Sequence, residues 1–164
     1  MKREPPRHAQ VEIEVRYAET DQMGVVHHAN WIVWLELART KLCLDAGFHY
    51  SEIEKQGLLL LVTGVQISYR GAARYGESVV ASCWVEEVGS RGVTFAYHVR
   101  RGDSLLATAQ TEHIWVDTHS RRPVRFPEAL KAPFESYLPQ RSMPAVPQPS
   151  PVHAPTPVPG RTTL

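Results

Sequence analysis

The stretch from Tyr17 to Arg39 reads Y-A-E-T-D-Q-M-G-V-V-H-H-A-N-W-I-V-W-L-E-L-A-R. It has three parts. A strand ends at Tyr17, a turn carries Glu19, Thr20, Asp21 and Gly24, and a long apolar helix opens between His28 and Asn30. A carboxylate, two adjacent histidines and a helix start therefore share one short span. Unpaired N–H groups at a helix start attract an anion or a developing oxyanion. An acid held beside them can direct a water at the same atom. The layout suits hydrolysis of a polarised carbonyl. Gly24 fits a turn that enters a helix close to a substrate, where a side chain would intrude.

Upstream, V-E-I-E-V-R-Y alternates strictly, with Val11, Ile13, Val15 and Tyr17 on one face, as in a half-buried strand. Downstream, the helix continues from Asn30 to about Phe48, with Gly47 as its stop. Its apolar residues, Trp31 to Leu35 among them, cover most of the circumference, so it must be enclosed; a curved sheet wrapping one helix meets that need. Glu36 and Arg39 lie one turn apart and read as a surface ion pair. Ser51 to Gln56 add a helical turn with Ser51 as N-cap.

From there the pattern is all strand: Leu59–Arg70, Val79–Val88, Val93–Arg100 and Leu105–Asp117. Gly89-Ser90-Arg91-Gly92 and Arg101-Gly102-Asp103-Ser104 mark hairpins. Strand, long helix, then four strands in antiparallel order make an α+β domain. Its expected bounds are 10–138. Residues 1–9 read as a loose arm. Residues 139–164 hold eight of the thirteen prolines and read as a disordered, partly polyproline tail.

Composition narrows the function. The net charge of +1 gives no reason to expect nucleic acid or a membrane surface as partner. The longest aliphatic run, Leu58 to Val62, is too short for an integral membrane segment. Cys43 and Cys83 lack CxxC spacing and read as reduced, buried thiols of a cytoplasmic protein. There is no G-x-S-x-G elbow, no GxGxxG and no P-loop. The scattered histidines predict no metal site, and no cofactor motif is present.

The motif Y-A-E-T-D-Q-M-G-V-V-H-H-A-N-W resembles the signature of the 4-hydroxybenzoyl-CoA thioesterase family, in particular its Tol–Pal-associated acyl-CoA thioesterase branch. The family pattern is close to Y-x-D-T-D-x-x-G-V-V-Y-H-A-N-Y; Glu19, His27 and Trp31 depart from it. A weaker likeness runs from Val11 to Leu130 and includes V-D-x-x-x-x-R-P-V-R-F-P from Val116 to Pro127. The resemblance implies the hotdog fold, one long helix wrapped by a curved antiparallel sheet. It implies hydrolysis of acyl-CoA without metal or cofactor, in a homodimer or homotetramer. By itself Asp21 reads as a cap or turn former; the resemblance makes it the catalytic acid, as general base or as nucleophile. It makes the His28 N–H the oxyanion donor, with the His28 side chain and Tyr17 in the same site. Gly24, Val25, Val26, His27, Asn30 and Trp31 are then the substrate-binding segment. Glu19 reads as a solvated acid, with support of Asp21 as the alternative. Arg70, Arg74, Arg91, Arg121 and Arg122 are available to the coenzyme A phosphates. Two rival readings stand beside this one. A hydroxyacyl-thioester dehydratase would pair His28 with Glu36, and a non-catalytic thioester-binding scaffold would leave Asp21 structural.

Overall fold

A computed structural model describes residues 6–139; the expected proline-rich tail, from residue 140 on, and the first five residues of the expected arm lie outside them. The elements run β1 (Ala9–Glu14), a 3-10 turn (Tyr17–Glu19), α1 (His28–Asp45), α2 (Tyr50–Lys55), β2 (Leu58–Tyr69), β3 (Ser78–Val88), β4 (Gly92–Arg101), β5 (Ser104–Asp117) and α3 (Glu128–Glu135). The five strands form one antiparallel sheet in the order β1-β3-β4-β5-β2. This is the expected α+β hotdog arrangement, with α1 laid along one face of the sheet.

The alternation in the sequence accounts for that face. Val93, Phe95, Tyr97 and Val99 of β4 are all buried, as are Val79, Ala81, Cys83 and Val85 of β3. They meet Trp31, Trp34, Leu35, Ala38, Leu42 and Cys43 of α1. Truncating one such aromatic to alanine typically costs about 3–5 kcal/mol. At its exit α1 closes with a Schellman cap. Phe48 N–H donates to the Cys43 carbonyl (3.1 Å) and Gly47 N–H to the Leu44 carbonyl (3.0 Å). Gly47 sits at φ 97°, a conformation that favours glycine.

Several expectations are corrected. The first strand ends at Glu14 rather than Tyr17, because the Glu19 carboxylate captures the Arg16 N–H (2.9 Å) and bends the chain into the 3-10 turn. The cap of α2 is His49, not Ser51, which lies inside the helix. A third helix, α3, follows the last strand and buries Phe134. The sheet covers only one side of α1: Ile32, Val33, Leu37 and Leu44 remain 39–49% exposed. Strand β2 lies at the sheet edge with Leu61, Val62 and Val65 similarly open. Cys43 and Cys83 are free and buried, which pushes Cys43 up to about 11 and Cys83 up as well. Neither is a thiolate near neutral pH.

Glu36 and Arg39 do not pair. The Arg39 guanidinium turns inward and donates to the Tyr50 hydroxyl (3.1 Å) and to His113 Nε2 (3.2 Å). Thr111 Oγ1 lies 2.8 Å from the same nitrogen, and Tyr97 Oη lies 2.8 Å from Thr111 Oγ1. Burial, and then the charge of Arg39, push His113 down to about 3. The ring is neutral and accepts through Nε2, which puts its proton on Nδ1, a buried atom without a partner among the described residues.

Candidate active site

The turn ahead of α1 is folded by its own hydrogen bonds. Asp21 N–H donates to the Val25 carbonyl (2.9 Å), and Gly24 N–H to the Asp21 carbonyl (2.9 Å). Asp21 Oδ1 accepts the Met23 N–H (2.8 Å), an Asx turn. Gly24 sits at φ 73°. A Cβ there would meet nothing within 4 Å, so backbone sign, not lack of room, requires the glycine.

Glu19 ties this turn to the helix. It is 4% exposed, so the solvated reading is overturned. Its carboxylate accepts from the Arg16 N–H and guanidinium and from the Trp34 indole (3.0 Å). Its carbonyl accepts the His27 N–H (2.8 Å) and the Asn30 side-chain amide (2.7 Å). Burial raises its pKa, but the bonds from Arg16 and Trp34 outweigh burial and hold it below the ordinary value.

At the helix start His27 is the N-cap, its Nδ1 accepting the Ala29 N–H (3.2 Å). The His27 carbonyl accepts the Asn30 N–H (3.0 Å). Among the described residues the His28 N–H has no acceptor. Asp21 Oδ2 likewise has none. Both residues line one cavity of about 350 Å3, together with Val25, Val26 and Trp31.

Four further lining residues escaped the sequence reading: Met23, Tyr69, Gly71 and Ala72. Tyr69 ends β2, stands edge-on to Trp31 with ring centroids 5.6 Å apart, and donates its hydroxyl to the His28 carbonyl (2.9 Å). The Val26 N–H donates to the Ala73 carbonyl (2.8 Å) and draws the second segment against the first. Only the alternation ending at Tyr69 hinted at this wall.

The other expected residues sit off the cavity. Tyr17 is 76% exposed and meets Tyr75 edge-on at 5.6 Å. His27 and Asn30 serve the cap and the Glu19 clamp, and Gly24 shapes the turn. Glu36 is exposed on α1 and does not line the cavity, so His28 and Glu36 do not form a pair there. Of the five arginines set aside for phosphates, Arg91 borders a second cavity, of about 420 Å3, with Arg125, Lys131 and the single acid Glu128. The other four line neither.

The first cavity thus joins a carboxylate, a free amide at a helix start and an apolar aromatic wall. Such a set can activate water and receive an oxyanion. A hotdog protein with this site belongs among the thioester-handling members of the fold. The chain belongs to the Thioesterase-like superfamily, which it matches over residues 15–134. It is 45% identical over 120 residues to "Putative acyl-CoA thioesterase YneP" of Bacillus subtilis (strain 168), covering 73% of this chain and 87% of that protein. It is 31% identical over 123 residues to "Acyl-CoA thioesterase YbgC" of Haemophilus influenzae, covering 74% and 90%. Among solved structures, the DHNA-CoA thioesterase of Staphylococcus aureus superposes with a TM-score of 0.73 at 34% identity, covering 79% of this chain and 88% of that one.

Proposed function

We propose that this chain hydrolyses acyl-CoA to a carboxylic acid and coenzyme A. The observation that carries the reading is the Asp21 carboxylate and the unpartnered His28 N–H on one cavity; the relatives' names support it. Two routes use these groups. In one, Asp21 takes a proton from water, and the hydroxide adds to the thioester carbon. In the other, the Asp21 carboxylate adds instead, and water then hydrolyses the mixed anhydride. In both, the carbonyl oxygen becomes an oxyanion held by the His28 N–H and the α1 dipole. Collapse expels the coenzyme A thiolate, which is weakly basic and leaves without strong acid assistance. We assign the His28 imidazole to orienting water or sulfur, and give Tyr17 no part in the chemistry. The route calls for neither a metal nor a bound cofactor.

The coenzyme A phosphates should add to binding through basic side chains outside the acyl cavity. A second copy of this chain is the partner we assign to the open face of α1 and the β2 edge, as a homodimer or as the unit of a tetramer. On the motif we place the chain in the Tol–Pal-associated branch, as one thioesterase domain over 10–138 acting in the cytoplasm.

The test is thiol release from a panel of acyl-CoA substrates by wild type and Asp21→Asn. The substitution should lower turnover by about 10²–10⁴-fold with the fold intact. Full turnover by Asp21→Asn, or no thiol release by wild type, overturns the reading. In the same panel a truncated thioester without the nucleotide should show a higher KM. Equal KM values would mean that the phosphates add nothing to binding.

A further inference from the structure

We infer that Tyr69 is a positioning residue, its hydroxyl holding the first turn of α1 so that the His28 N–H stays aimed at the cavity. The inference rests on the thioesterase reading and deepens it.

The helix start is fixed peptide by peptide. The peptide joining His27 to His28 carries the candidate oxyanion donor, and its carbonyl is held by the Asn30 N–H. The next peptide, His28 to Ala29, is held at both ends: the Ala29 N–H donates to His27 Nδ1, and the His28 carbonyl accepts from Tyr69 Oη at 2.9 Å. Tyr69 is the one holder in this set that comes from the opposite wall. Two residues further on, Gly71 N–H donates to the Leu106 carbonyl (3.0 Å), as does Arg70 N–H (2.8 Å), so the strand end behind Tyr69 is itself anchored. The tyrosine therefore transmits a fixed distance from sheet edge to helix start. Partial burial raises the Tyr69 pKa, which keeps the hydroxyl a donor across the working range of a carboxylate catalyst. Preorganised donors lose their effect when they swing freely, because the reaction must then reorganise them.

Tyr69→Phe separates this role from packing, since it removes the hydroxyl and keeps the ring against Trp31. Three readouts are taken together: kcat and KM for acyl-CoA hydrolysis, the thermal midpoint, and amide hydrogen exchange at Ala29. The expected result is a kcat about 5–10-fold lower, KM near wild type, an unchanged midpoint and faster exchange at Ala29. Wild-type kcat in Tyr69→Phe overturns the inference and leaves the thioesterase reading standing. A lowered midpoint whose folded fraction accounts for the whole drop in kcat also overturns it, since loss of folded protein lowers apparent kcat and leaves KM unchanged. A wild type inactive on every acyl-CoA overturns both.

Discussion

At the scale of single residues, charge is held in two different ways. Glu19 is a buried carboxylate with three donors. His113 is a buried imidazole kept neutral beside a guanidinium. Both have a depressed pKa in the folded chain, and the sign of each follows from proton counting. Between about pH 6.5 and 3 the unfolded chain binds a proton at His113 that the folded chain refuses, so stability falls as pH falls through that window. The slope is about 1.4 kcal/mol per pH unit. Glu19 adds its own loss only below about pH 4.3, where the unfolded carboxylate begins to protonate. Urea unfolding at pH 7, 6 and 5 should show His113→Gln with the shallower loss toward acid; an identical slope would remove the neutral-imidazole assignment. These two residues also mark where sequence reading stopped. Asp21, Val25, Val26, His28 and Trp31 were legible because one continuous motif carries them to one cavity. Glu19 was not, since a carboxylate in a polar turn looks solvated until Arg16 and Trp34 close over it. Tyr69 lies on another strand, and only tertiary folding brings it to His28.

At the scale of elements, β2 to β5 were legible within one residue, because alternation states both the strand and its buried face, whereas β1 ends three residues before the expected Tyr17. Helix α3 was missed. Pro133 inside so short a segment argues against a helix, although Leu130, Phe134 and Tyr137 do recur at helical spacing. The hairpin glycines differ in what they demand. Gly102 sits at φ 53° in the two-residue turn between β4 and β5. Gly92 needs its lack of side chain, since a Cβ there would run into the His113 carbonyl oxygen of the neighbouring strand. Backbone cannot yield as a side chain can. Gly92→Ala should destabilise the fold by about 2–3 kcal/mol, read as a lower urea midpoint; Gly102→Ala should act through backbone strain instead. An unchanged midpoint in Gly92→Ala would mean that β4 and β5 are not paired in this register.

At the scale of the whole molecule, the helix that the sequence required to be enclosed is enclosed on one side only. The requirement came from apolar residues around most of its circumference, and the chain's own sheet satisfies half of it. Val33 and Leu37 stay exposed on the open side of α1, and Leu61, Val62 and Val65 on the edge strand; exposed apolar side chains in such number fit a surface that a partner covers. Sedimentation should find wild type as a dimer or tetramer and Leu37→Glu shifted toward monomer. A wild type that stays monomeric at every concentration would sink the assignment of a second copy to this face.

The wall opposite Asp21 is partly bare main chain. Gly71 and Ala72 present almost no side chain to the cavity, and a Cβ at Gly71 would come within 2.9 Å of the buried Leu106 side chain. Natural or laboratory evolution therefore has little to work with on that side. New acyl preferences should be reached by changing Met23, Val25 or Trp31, with Met23, exposed at the rim, the change the fold tolerates most readily.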